Sequence, residues 1–228
     1  MSEKLAFRLA VIAAVVMLGI GAVMAVTAAP CRELPMSALT ALELARSVDD
    51  LQRIFGMAGD ACRAPITAQL DRANLIDAAA YVPAYAAFYA LVLFGLGRRD
   101  RLVGWIGVAV VVGCAAADWI ENAAMFQLSA APDAPSVWMP VLVVATNVKW
   151  VGLAAATTLG GVMLWRRGGL VGWLGLVACA VPLAVSLWAV AAPVAAGRWL
   201  VPGMAVASVM LLAVAVWGSF AKEPAAKA

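Results

Sequence analysis

Long apolar runs broken by short polar stretches dominate the chain, and six of them reach the length that a helix needs to cross hydrocarbon, about 20 residues. They run from about Leu9 to Ala28, Asn74 to Gly97, Leu102 to Leu128, Trp138 to Trp165, Leu170 to Val194 and Trp199 to Phe220. Trp138, Trp165, Trp199 and Trp217 fall near the ends of these runs, where indole rings favour the headgroup zone. The pattern predicts an all-α polytopic bundle in a single membrane domain, residues 1–228. One sizeable segment lies outside the spans, the loop of residues 29–73.

Within that loop, Ala41, Leu44, Val48, Leu51 and Phe55 recur at steps of three and four. This predicts an amphipathic helix over Ser37 to Phe55, capped by Ser37 and ended by Gly56. Glu43, Arg46, Asp49, Asp50 and Arg53 take its opposite, polar side. Its apolar face either packs on the top of the bundle, covers the bundle mouth as a lid, or lies in the outer headgroup region. Pro65 suits the first turn of a further helix that continues into the second span.

Composition agrees with the pattern. Hydrophobic residues make up 65% of the chain, charged residues 13%, and mean hydropathy is +0.96. A soluble domain carries about 45–50% apolar and about 25% charged residues. The net charge of +3 is too small and too scattered for a nucleic-acid-binding face. The basic residues serve topology instead. Lys4 and Arg8 precede the first span, Arg98, Arg99 and Arg101 follow the second, Arg166 and Arg167 follow the fourth, and Lys222 and Lys227 follow the sixth. The loop from Ser129 to Val137 has no basic residue, and the loop before the sixth span has Arg198. The positive-inside rule then places both termini in the cytoplasm and the 29–73 loop outside. Abundant Ala, Val, Gly and Arg fit a bacterial inner membrane. The first span has two readings. Lys4 and Arg8 with a cleavage site at Ala25 to Ala29 would make a signal peptide; the length of the apolar run favours a retained anchor. Pro30 before Cys31 argues against a lipidation site.

The absence of histidine removes His-ligated haem and zinc and His general bases, and no cofactor or metal is expected. None of the 4 cysteines forms a C-x-x-C pair. Cys31 and Cys62 flank the loop helix on the outer side, where disulfides persist. A bridge there closes about 30 residues and contributes roughly 3 kcal/mol in the chain-entropy model. Cys114 and Cys179 lie within spans as small apolar packers.

Candidate chemistry sits inside the spans. An ionisable residue there costs roughly 2.5–3.5 kcal/mol on insertion scales and faces a bundle interior. On span two, Asn74, Asp77, Tyr81 and Tyr85 form one helical stripe that continues to Phe88, and Pro83 loosens the local hydrogen bonding. On span three, Asp118, Glu121 and Asn122 share a face with Met125. On span four, Lys149 lies near mid-helix with Thr146 on its face, while Asn147 points nearly opposite. Asp118 is about ten residues from the outer end of its span and Lys149 about eleven from its own. A short loop makes these spans antiparallel neighbours, so an Asp118–Lys149 pair is expected.

A buried salt bridge fixing helix register would explain part of this set. Asp77, Asp118 and Glu121 outnumber Lys149, which points towards an outward-opening polar cavity. Crowded carboxylates suit proton handling, and nearby aromatic rings suit a lipid-like or amphipathic ligand. The candidate site is therefore Asp77, Tyr81, Tyr85, Asp118, Glu121, Asn122 and Lys149.

The function expected first is a small binding or accessory module. Its partners would be membrane lipids, a hydrophobic small molecule, and a protein at the external loop. A membrane enzyme is the next reading, with Asp118 or Glu121 as acid–base and Lys149 stabilising negative charge. A proton-coupled transporter and a structural subunit follow. No G-x-S-x-G or H-E-x-x-H motif is present, and no internal repeat marks a transporter. The Asp- and Tyr-bearing second span with Asp118-Trp119-Ile120-Glu121-Asn122 on the third faintly resembles small polytopic sterol-isomerase-like proteins, whose cavities are also lined by carboxylates. The likeness covers those two spans; the histidine some of those enzymes use is absent and the extra spans do not fit.

Overall fold

The computed structural model describes residues 1–26, 31, 33–34, 36–134 and 136–220. Most of Ala25 to Ala29, with Pro30, Lys222 and Lys227, lies outside the described residues. The chain is all-helical, in the order α1 (Glu3–Val26), α2 (Ala38–Glu43), α3 (Val48–Phe55), α4 (Arg63–Ile76), a π turn (Asp77–Tyr81), α5 (Val82–Leu96), α6 (Arg101–Ala130), α7 (Trp138–Trp165), α8 (Gly169–Ala191) and α9 (Pro193–Phe220). Six helical stretches among the described residues are long and apolar enough to cross a membrane. Consecutive spans pack on one another, and α1 closes the ring by packing on both α5 and α9.

Several helix ends differ from the hydropathy reading. The first helix starts at Glu3 rather than near Leu9, because Lys and Arg stems can run along apolar surface while their charges reach water. The second runs unbroken from Arg63 to Leu96. At 1.5 Å per residue its 34 residues extend about 50 Å, longer than the roughly 30 Å thickness of a hydrocarbon core. The fifth ends at Ala191, and the sixth starts at Pro193, where a missing N–H costs nothing.

The loop departs from expectation more consequentially. The single helix predicted over Ser37 to Phe55 is two. Ser37 caps α2 by accepting from the Thr40 N–H, and Ser47 caps α3 by accepting from the Asp50 N–H. Asp50 reaches back to accept from the Arg46 N–H at 3.0 Å and from the Ser47 hydroxyl at 2.8 Å. This local network competes with helix continuation and restarts the helix in a new phase. Both short helices pack on the bundle top. Leu42, Leu51, Ile54 and Phe55 join Ile66, Leu70, Met125, Leu128 and Leu142 in an apolar cap core. The Cys31–Cys62 disulfide ties the base of the loop. A larger core lies within the spans, around Phe88, Val92, Leu93, Val111 and Leu211.

Candidate functional site

Between these cores lies a layer of buried polar groups, and four helices supply it. The π turn is the first local cause. Its wide winding pairs the Val82 N–H with the Asp77 carbonyl. The next donor in that register would be residue 83, which is proline and has no N–H. The freed carbonyl of Ala78 is taken instead by the Trp119 indole N–H of α6, at 2.9 Å. The irregular turn thereby locks α5 to α6 and aims Asp77 inward, where it is 7% exposed.

Lys149 of α7 is the centre. Its Nζ lies 2.5 Å from Glu121 Oε2, 3.2 Å from Glu43 Oε1 and 3.4 Å from Asp118 Oδ1. Three carboxylates thus surround the ammonium, and Asp118 Oδ1 accepts a hydrogen bond from it. The expected Asp118–Lys149 contact is present, and Glu121 makes the shorter one. Asp118 Oδ2 accepts from the Tyr85 hydroxyl at 2.8 Å. Asn122 Nδ2 donates to Asp77 Oδ2 at 2.9 Å and lies 3.4 Å from Asp118 Oδ1. Asn74 Nδ2 donates to the Asn122 carbonyl at 2.9 Å. The side-chain oxygens of Asn74 and Asn122 are buried with no hydrogen-bond partner, as is Glu121 Oε2, which meets Lys149 as an ion pair alone. Tyr81 meets the layer through its ring, edge-on to Tyr85 with centroids 5.9 Å apart. The structure therefore brings six of the seven sequence candidates into one layer and sets the seventh, Tyr81, at its margin.

Glu43 is the residue that the sequence reading misplaced. The continuous-helix reading put it on the polar outer side; it is 6% exposed and inside the layer. The break before Ser47 frees α2 from the phase of α3 and turns Glu43 onto the bundle. Its Oε2 accepts from the Trp150 indole N–H at 3.1 Å. Thr146 Oγ1 lies 3.0 Å from the Glu43 carbonyl and 2.6 Å from Glu121 Oε1. Burial pushes the Glu43 carboxyl above its ordinary range, and Lys149 pulls it part of the way back. Arg46 holds the same helix end, with Nη1 donating to the Ala45 carbonyl at 3.0 Å and Nη2 to Asn147 Oδ1 at 3.4 Å. Asn147 thus serves a different contact from Lys149. A signal for this break existed in the sequence: Ser47 stands three residues before Asp50 in mid-segment, the spacing of a helix start.

The layer holds four carboxylates, Glu43, Asp77, Asp118 and Glu121, and one cation, Lys149. Among the described residues, no group of His, Cys, Asp and Glu side chains has the arrangement to hold a metal ion. Surplus negative charge in a medium of low dielectric calls for protons or for a positively charged group. No family model matches the chain, and neither a curated protein nor a solved structure resembles it.

Proposed function

We propose that this chain is a multi-pass protein of a bacterial inner membrane that binds an amphipathic, lipid-like molecule in the carboxylate layer, beneath a lid formed by the α2–α3 loop. Both termini face the cytoplasm, and the 29–73 loop faces outward, as the arginine and lysine pattern favours. The apolar face of α1, with Phe7, Ala10, Ala14 and Met17 buried against its neighbours, supports a first helix retained in the mature protein.

The observation that carries the reading is the Glu43–Lys149 contact at 3.2 Å. A loop that merely covered the bundle would need apolar contacts alone. This loop contributes a carboxylate to the buried ammonium. Movement of α2 therefore exposes Lys149, Asp118 and Glu121 together, and a ligand headgroup can take the place of Glu43. The atom that replaces Glu43 at Lys149 is an anion or hydrogen-bond acceptor, and the surplus of carboxylates supports a ligand that also brings a cationic or proton-donating group.

A second reading has its own support. Glu121 and Thr146 are wholly buried, and the layer is closed, which favours a staple that fixes the register of α6 and α7 and holds the loop down. Native mass spectrometry with lipid analysis separates the two, using protein in mild detergent and comparing wild type with Asp118→Asn and Glu121→Gln. A species that co-purifies with wild type and is lost from variants that still melt near the wild-type temperature supports the binding reading. If no specific species co-purifies and the variants simply melt earlier, the staple reading stands and the binding reading fails. A chemically altered form of the bound species would move the reading to an enzyme with Asp118 or Glu121 as acid–base.

A further inference from the structure

At the end of the bundle away from the carboxylate layer, a cavity of about 680 Å³ opens beside α1, α8 and α9. Its volume is within the range of small-ligand sites, about 300–1,000 Å³. The walls are apolar, formed by Phe7, Leu164, Val171, Met210, Val214 and Trp217. The rim is charged: Lys4, Arg99 and Arg167 stand there with one carboxylate, Glu3. Arg167 is already engaged, with Nη2 3.1 Å from Glu3 Oε1 and 3.3 Å from the Leu96 carbonyl. Among the described residues, no carboxylate pairs with Lys4 or Arg99 at this rim. Trp217 is 82% exposed, as suits an indole at a membrane–water boundary.

We propose that this cavity is a site for one anionic phospholipid, whose phosphate sits between Lys4 and Arg99 and whose acyl chain lies against Phe7, Met210 and Val214. A greasy crevice beneath a net-positive rim matches both parts of such a molecule, whereas a free phosphate would use the rim alone. The ring geometry provides the crevice. Helices α8 and α1 each pack on α9, and the crevice between them, floored in part by Leu164 of α7, is where the acyl chain lies. The site shares no residue with the carboxylate layer, so each stands or falls separately.

The test uses the full chain in mild detergent, read by native mass spectrometry with phosphatidylglycerol or phosphatidylcholine added at equal concentration. Wild type retains phosphatidylglycerol over phosphatidylcholine by at least about fivefold. Lys4→Gln with Arg99→Gln lowers phosphatidylglycerol retention by roughly tenfold and leaves phosphatidylcholine retention unchanged. Val214→Trp, which fills the cavity and keeps both cations, lowers it as well. Glycerol phosphate, the headgroup without tails, fails to compete at millimolar concentration. Equal retention of the two lipids by wild type overturns the proposal without recourse to any variant. Undiminished retention in the double variant overturns it too, and effective competition by glycerol phosphate reassigns the rim to a soluble anion. Asp118→Asn leaves this selectivity intact, which distinguishes it from any ligand of the carboxylate layer.

Discussion

On the side of the bundle that the α2–α3 loop covers, α6 and α7 are joined by Lys149, Asp118, Glu121 and Thr146, all buried, whereas α7 and α8 approach closely through glycines. A Cβ placed on Gly172 would stand 2.7 Å from the Leu164 carbonyl oxygen, and one on Gly161 would stand 3.0 Å from the Gly175 carbonyl oxygen. Both are ways of holding apolar helices together that would still work in lipid, where the hydrophobic effect between helices is lost. Close backbone approach supplies dispersion along the whole α7–α8 contact. The charged contact concentrates its energy in a few atoms and depends on every partner being present. Volume is therefore a strict demand along α7–α8, where the Thr157, Thr158 and Ser186 hydroxyls also donate to backbone carbonyls across the contact, and charge balance is the added demand along α6–α7.

The largest effect should come from the charged half. Lys149→Met keeps much of the side-chain volume but leaves four carboxylates without their cation, and removing one partner of a buried ion pair typically costs about 3–5 kcal/mol. Thermal unfolding in detergent should show this as the largest drop among these variants; a melt within a few degrees of wild type would mean that the layer is neutral in the folded protein. Next comes the staple of the loop. Reduction of Cys31–Cys62 removes a constraint worth roughly 3 kcal/mol, and hydrogen exchange should rise in α2 and α3 before it rises in the spans. Protection that falls equally everywhere would show that the loop and bundle unfold as one unit.

In the glycine half, Gly172→Val should cost about 1–3 kcal/mol, as overpacking does, while Gly113→Val, with nothing near its Cβ, should melt like wild type. Equal behaviour of the two would remove volume as the organising factor there. The smallest effect is titration of the lid. Burial raises the Glu43 carboxyl above its ordinary range, with Lys149 opposing and Asp118 assisting. The packed α2–α3 loop then holds this proton more tightly than the loop would when released from the bundle. The resulting stabilisation is complete below the ordinary carboxylate range and fades as pH rises through the raised value. Exchange in α2, corrected for the intrinsic rate, should increase as pH climbs from the ordinary carboxylate range, and Glu43→Gln should flatten that slope. A slope of the opposite sign would make the Lys149 attraction the dominant influence on Glu43.

Sequence pattern alone located six apolar helices, because a run of about 20 apolar residues has few alternatives to a helix in lipid. It also located the disulfide, from compartment and spacing, and a stripe of polar residues on each of spans two, three and four, because helical periodicity is local. Matching depths on two antiparallel neighbours were enough to anticipate the contact between Asp118 and Lys149. Other features needed the folded molecule. The π turn depends on which donor is missing at Pro83 and on Trp119 arriving from another helix to satisfy Ala78. The basic cavity exists only because α1 returns to close the ring on α9. Glu43 shows the limit most plainly. Its polar character assigned it to water, and only tertiary structure could supply a buried ammonium 3.2 Å away that makes burial of its carboxyl tolerable.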